Sequence, residues 1–452
     1  MSTPVGSPNA SPDNIQRVTR AVVWNQALWT AGYSLTTGGF LTYFGYELGA
    51  TAFLVSVLLI VPETAGIVGL VARWLIQHTG NRKRVWLICS LAGRIVSVGI
   101  PLHAFPQLRP SGLDPLIAMI VCLAVSQALQ SIAYVAYISW LADLVPEARW
   151  GRFFATRNIS KLSVLLVVPV AAGFLRDWWR TSVRQSDMAD ETALLAYVVV
   201  FSIGIVLLLA SMLPLLRLPN VSMRAEWIAL PEWKVIAESF ANRSLRFLFL
   251  HNWWLAIANG LTQAAFFLYS VRVLGISLAT YYVFFCLMQL VKMPVSWATG
   301  RICDRFGNKA PLFWGLVIAA LALPFWMFAT KERWWLLGGA YFFWGAFAAV
   351  NIAGRNLSSP GDNTAQWALF RLGGGLLAGL SGLAGGMWLD QLLKAKFNFN
   401  IGSQQFEAYH LLFLLSFIGR ITAALWVLPI QERGAKSARY IAAVWLRSRR
   451  VR

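Results

Sequence analysis

Long unbroken runs of apolar residues alternate with short polar stretches along almost the whole chain. Residues 281–299, YYVFFCLMQLVKMPVSWAT, and residues 310–328, APLFWGLVIAALALPFWMF, are typical. Runs of this kind predict membrane-spanning helices of about 20 residues each. The runs argue against a membrane barrel, because barrel strands alternate apolar and polar positions whereas these runs are continuous. Twelve spans are expected, at 21–46, 51–75, 84–105, 114–143, 159–178, 193–216, 246–272, 277–299, 310–330, 334–355, 366–390 and 407–430. An even number places both termini on one side. The fold class expected is therefore an all-α membrane protein.

Composition sharpens this. The chain has 452 residues, 58% of them hydrophobic and 13% charged. Soluble domains carry roughly 25% charged residues, and a globular interior could not hide this much apolar surface. The formal net charge of +20 would suit nucleic acid, but its placement argues otherwise. With the N-terminus inside, the inner loops hold Arg73, Arg82, Lys83, Arg84, Arg149, Arg152 and many more, while the outer loops hold few basic residues. That bias predicts both termini cytoplasmic, anionic lipid at the basic loops and no nucleic-acid partner. The four cysteines, Cys89, Cys122, Cys286 and Cys303, show no metal-ligand spacing and read as small apolar fillers. No metal, cofactor or oligomeric partner is implied, and a monomer is expected.

The chain repeats itself. A shift of 227 residues pairs Asn25 with Asn252, Ala31 with Ala258, Phe40 with Phe267 and Gly80-Asn81 with Gly307-Asn308. A shift of 214 pairs Pro146 with Pro360 and Arg157 with Arg371. Two pseudo-symmetric six-helix bundles are expected, with a binding site near the midplane where the halves meet. The predicted organisation is a disordered N-terminus (1–20), a first bundle (21–216), a linker (217–245), a second bundle (246–430) and a basic tail (431–452). Within the linker, Trp233, Ile236 and Phe240 share one face, with Pro231 near the start of an interfacial helix. The tail, ARYIAAVWLRSRRVR, is read as a basic amphipathic end lying on lipid.

One polar loop is more than a soluble connection. GRICDRFGNK, Gly300 to Lys309, sits between the eighth and ninth spans. It resembles the signature loop of the major facilitator superfamily: glycine, three residues, aspartate, arginine, one residue, glycine, any residue, then a basic residue. WLADLVPEARWGRFFATRN, residues 140–158, resembles the four-to-five loop of many bacterial members of that family. In the loop itself, Gly300 is expected to admit a neighbouring helix and Gly307 to make a tight turn. Asp304 is expected to cap a helix N-terminus, where the dipole favours an anion. The resemblance places that partner in the fifth span near Arg157, so that the loop latches the halves together on the inside. Arg305 and Lys309 would stay at the inner leaflet or pair with a carboxylate such as Asp143. The first-half copy, RWLIQHTGNRK, departs from the pattern: Arg73 replaces the glycine, Gln77 the aspartate and His78 the arginine, while Gly80 is kept. An asymmetric latch follows, with Asp304 its stronger side.

Polar residues inside spans mark cavities or interhelical hydrogen bonds. Asn25, Gly32 and Thr36 share a face of the first span, Asn252, Asn259 and Gln263 a face of the seventh, and Gln127, Gln130, Tyr134 and Tyr137 a face of the fourth. The family resemblance implies that spans one, four, seven and ten line a central cavity, which makes these residues the candidate solute contacts. Four charges lie deep: Glu63, Arg94, Lys292 and Arg420. Glu63 lies roughly 18 Å from the outer end of its span and Arg94 roughly 15 Å from the inner end of its own, so both reach midplane. They form either a structural pair or a proton-coupling site in which Glu63 carries the proton. Lys292 either attracts an anionic solute group or snorkels. Arg420 is read as structural, and His251 and His410 as interfacial.

No G-x-x-x-x-G-K-[ST], H-E-x-x-H or G-x-S-x-G occurs, so the expectation is not an enzyme. The reading is a secondary transporter of a small organic solute, working by alternating access in a bacterial cytoplasmic membrane. Multidrug efflux and uptake of an organic anion or metabolite both stay open. A second class is a transporter-like sensor or scramblase without solute flux.

Overall fold

A computed structural model describes residues 12–108, 112, 114–145, 150–183, 189–220, 237, 240–358, 364–401 and 404–432. In the N-terminal half, α1 (Pro12–Thr36) and α2 (Gly39–Glu47) form the first segment. The second comprises α3 (Ala52–Thr64), a 3₁₀ stretch (Ala65–Leu70) and α4 (Val71–Thr79). Next come α5 (Arg82–Ser97) with α6 (Gly99–Leu102), α7 (Pro115–Leu144), α8 (Trp150–Val183), and α9 (Ala189–Ala210) with α10 (Leu213–Leu216).

The C-terminal half opens with α11 (Arg243–Gly260), α12 (Gln263–Leu268) and a π turn (Tyr269–Val273). It continues with α13 (Leu278–Phe306), α14 (Lys309–Ala320) with α15 (Ala322–Phe328), α16 (Leu336–Trp344) with α17 (Phe347–Ser358), and α18 (Thr364–Lys394). An antiparallel hairpin, β1 (Asn398–Ile401) and β2 (Gln404–Glu407), leads into α19 (Ala408–Leu425).

Among the described residues, eleven helices are long and apolar enough to cross a membrane. The first expected span, 21–46, is not one of them. Polar residues such as Asn25, Gln26 and Thr30 dilute it, and it breaks where Gly38 turns into the left-handed region at φ 59. Just before the break the hydroxyls of Thr36 and Thr37 bond back to the carbonyls of Gly32 and Tyr33, a local alternative to continuing the helix. Helix α1 also begins at Pro12, inside the stretch 1–20 expected to be disordered. The linker face at Pro231, Trp233 and Ile236 and the basic tail from residue 433 lie outside the described residues.

The chain divides into two compact units. One holds residues 1–50, 61–228 and 278–282, the other 51–60, 229–277 and 283–452. Two short exchanges were not foreseen: α3 starts in the second unit and α13 starts in the first. The first unit is built on Val22, Ile76, Trp86, Trp140, Leu141 and Leu215, with Trp86 and Trp140 rings 5.7 Å apart. The second is built on Phe249, Leu312, Leu316, Ala353, Ala423 and Val427. Within it, α11 meets α18 at backbone contact, because Gly260 faces the Ala378 carbonyl and Gly385 that of Leu261.

Candidate functional site

In the first unit the polar stripes divide between packing and open surface. The Asn25 amide donates to the Ser211 carbonyl at 2.7 Å, and its Oδ1 accepts from the Tyr137 hydroxyl at 3.0 Å. The Arg157 guanidinium lies 5.6 Å from the centre of the Tyr137 ring. Thr36 is buried and bonded to its own helix. Asn25 and Thr36, expected as solute contacts, are thus committed to interhelical and local bonds in this structure. Gln127 is buried, Gln130 is half-buried against Gly93, and Tyr134 is 51% exposed. Along the α7 stripe, Gln127 and Tyr137 are therefore packed while Tyr134 is left open.

In the second unit, Asn252 donates to the Phe370 carbonyl at 2.8 Å and packs against Gly374, again a structural use. Asn259 and Gln263 differ. Their buried oxygens, Oδ1 and Oε1, find no hydrogen-bond donor among the described residues. They sit one helical turn apart on one face, at the junction of α11 and α12. A buried acceptor without a donor costs free energy, so two in succession mark a place where a polar group belongs. Lys292 is half-buried on α13.

The charge pair expected at midplane is not formed. Arg94 is buried, and its Nε and Nη1 make no hydrogen bond among the described residues, while Glu63 is exposed near the end of α3. Arg420 is buried too, its guanidinium 5.9, 5.7 and 5.5 Å from the ring centres of Phe266, Trp344 and Phe347. Three aromatic faces stand where a carboxylate would be expected. His251 is buried and bonded to the Ala423 carbonyl, and His410 is buried beside Tyr269.

The polar loop is built, though not as the pattern implied. Gly307 does turn, with φ 88, and Gly80 does so in the first-half copy, with φ 61. A Cβ at Gly300 would meet nothing within 4 Å, so no helix presses there. Asp304 is exposed and accepts no hydrogen bond from any described residue of its own unit. Arg305 is exposed, as is Gln77 in the first-half copy, and the side chain of Asp143 lies outside the described residues.

The carboxylate that organises the loop is Glu432, which the sequence reading missed. It accepts from the Asn308 backbone at 2.8 Å, the Asn308 amide at 2.8 Å and the Lys309 backbone at 2.9 Å. Lys309 Nζ donates to the Leu428 carbonyl at 2.6 Å, just beyond α19. In the first unit Lys83 Nζ donates in the same way to the Leu216 and Leu218 carbonyls, both at 2.7 Å. Each loop thus puts a cation on the carbonyls at the end of its own unit's last helix, where the dipole favours it. Their spacing, one basic residue shortly after each Gly-Asn, was legible; the distant partner Glu432 was not.

The comparisons with known proteins agree with this architecture. A family model described as Major Facilitator Superfamily matches residues 23–360. No curated protein sequence matches the chain. Among solved structures, a mutant of the nucleoside transporter NupG aligns over 92% of this chain and 100% of its own, at 15% identity and a TM-score of 0.63. A bacterial homologue of the iron transporter ferroportin aligns over 93% of this chain and 100% of its own, at 12% identity and a TM-score of 0.62. A D-xylose-proton symporter aligns over 93% of this chain and 98% of its own, at 15% identity and a TM-score of 0.61. At these identities the likeness is one of fold.

Proposed function

The chain belongs to the major facilitator superfamily, as a multi-pass integral membrane protein, and we propose that it moves a small polar organic solute by alternating access, as a secondary transporter. The observation that carries the solute reading is the pair of donorless buried oxygens on Asn259 and Gln263. A solute hydroxyl, amine or amide would supply the missing donors, and its binding would relieve a cost the empty protein bears. Aromatic rings on the same unit, such as Phe266 and Trp344, would bury an apolar part of the solute. The family's assignment of the seventh span to the cavity supports this placement. The names of the structural neighbours, which include nucleosides, D-xylose with protons, and peptides, fit a solute rich in hydrogen-bond donors.

Coupling belongs to Glu63 in this reading. Glu63 is exposed near the end of α3, whereas Arg94 is buried, and an ionisable side chain within a span is by default a candidate for proton transfer. Lys292, half-buried on α13, would favour solutes that also carry an anionic group.

The experiment is a thermal-shift screen of the purified chain against donor-bearing metabolites and drugs, followed by uptake of each stabilising compound in proteoliposomes. A specific ligand raises the midpoint by mass action. Asn259→Ala and Gln263→Ala should each raise the half-saturating concentration roughly tenfold, the value of one hydrogen bond to a buried group. If stabilising compounds bind both variants as well as the parent, the assignment of these oxygens to the solute is wrong. If compounds bind but none crosses the membrane, the chain is a sensor rather than a carrier.

A further inference from the structure

Two aspartates outside the candidate solute site make the same unusual bond. In the second unit, Asp390 near the end of α18 accepts from the backbone N–H of Ala52 and of Phe53, both at 2.9 Å. In the first unit, Asp177 near the end of α8 accepts from the backbone N–H of Ala279 at 2.9 Å. Each carboxylate caps the first turn of a helix far away in sequence, α3 in one case and α13 in the other. Charge-assisted bonds to first-turn amides, aided by the helix dipole, are the strongest form of cap.

A glycine stands one turn before each aspartate and lets the capped helix approach. A Cβ at Gly386 would lie 2.8 Å from the Ala52 carbonyl, and one at Gly173 would lie 3.1 Å from Ala279 Cα. The two constellations are copies. A shift of 213 residues carries Gly173 to Gly386 and Asp177 to Asp390, and the shift of 227 carries Ala52 to Ala279.

The capped segments are the exchanged ones. Residues 51–60 belong to the second unit and the rest of their helix to the first; residues 278–282 belong to the first and the rest of theirs to the second. In the first unit the hold is wider: the Phe40 backbone donates to the Tyr282 hydroxyl at 3.1 Å, and Asp177 is itself fixed by Arg176 at 2.8 Å, which also pairs with Glu47. Where α3 passes from one unit to the other, Pro62 removes a helix donor and a 3₁₀ stretch follows at Ala65–Leu70. That is the form a hinge takes inside a helix.

We propose that Asp177 and Asp390 are gating residues, twin carboxylate clasps that grip the exchanged helix ends in one state of the transport cycle and release them in the other. The clasps lie at the helix ends that the positive-inside reading places outside. The inference rests on the reading of the chain as an alternating carrier. The clasps set how much of the protein occupies the gripped state. The second clasp, which lacks the Arg176–Glu47 buttress, opens more easily.

The test is a spin-label distance measurement on the full chain in nanodiscs without solute. Labels are placed by Thr51→Cys and Lys394→Cys, both exposed positions of the second unit, with Cys89, Cys122, Cys286 and Cys303 replaced by serine. The parent should show a dominant short distance. Asp390→Ala should shift the balance toward a longer one by roughly five- to tenfold, the value of a lost cap, and Asp390→Ser, a neutral cap, should fall between. A distance distribution unchanged in both variants, with monodisperse protein, overturns the proposal. A shifted distribution in a protein that carries no solute upholds the clasp and sinks the transport reading instead, so the two failures are told apart.

Discussion

Glu432 shows how one residue can hold a loop whose pattern pointed elsewhere. Its carboxylate takes three donors from Asn308 and Lys309 within the second unit. Glu432→Ala should cost about 2 kcal/mol, in the range of hydrogen bonds to a charged group, and Glu432→Gln about half of that. Thermal unfolding of the detergent-solubilised protein measures both. Arg420 gives the opposite kind of prediction. A buried cation among aromatic rings is costly to bring out of water, and replacing it with an apolar side chain of similar size is often neutral or stabilising. Arg420→Met should therefore unfold within about 1 kcal/mol of the parent, whereas Arg420→Ala should lose about 2–4 kcal/mol through the void it leaves. At this scale the turn glycines Gly80 and Gly307 were legible, because a positive φ leaves few other choices. The roles of Asn25 and Thr36 were not. A polar side chain in a span reads the same whether it meets a solute, a backbone carbonyl or water, and the partner is chosen by tertiary packing.

Among elements, the apolar runs located nearly every helix, since lipid leaves a spanning backbone no other way to satisfy its amides. Two features escaped. The break between α1 and α2 depends on Gly38 and on threonine hydroxyls that bond back along the helix, which hydropathy does not register. The hairpin β1–β2 is a short ribbon of mixed composition, NFNI against QQFE, and the Gly402-Ser403 pair between its strands is a hairpin turn signal that a reading centred on apolar runs passes over. The glycine run of α18 was legible as a packing surface, and its contacts with α11 make the point quantitative. A Cβ on Gly260 would overlap the Ala378 carbonyl and the Ser381 hydroxyl. Gly260→Ala should destabilise by about 1–3 kcal/mol through forced separation of the two helices. A drop in the melting midpoint without loss of helical circular dichroism is the expected result, and an unchanged midpoint would mean that the helices can part freely.

For the molecule as a whole, the two-fold duplication was visible in paired residues such as Asn25 with Asn252 and Gly80 with Gly307. The exchange of segments 51–60 and 278–282 was not visible, because apolar runs say where a helix lies and not which neighbours it keeps. Yet the repeat of Gly173 and Asp177 as Gly386 and Asp390 carries the clue in the sequence itself. Alternation between two states also separates net flux from exchange. A carrier that must lose a proton to return empty still swaps solute for solute when that proton cannot leave. The most direct measurement of the central claim is therefore paired flux in proteoliposomes for the parent and Glu63→Gln, using one stabilising solute. The variant should lose pH-driven accumulation while solute exchange persists within about twofold of the parent. Accumulation that survives unchanged in the variant would contradict proton coupling at Glu63, and the absence of both accumulation and exchange in the parent would contradict transport itself.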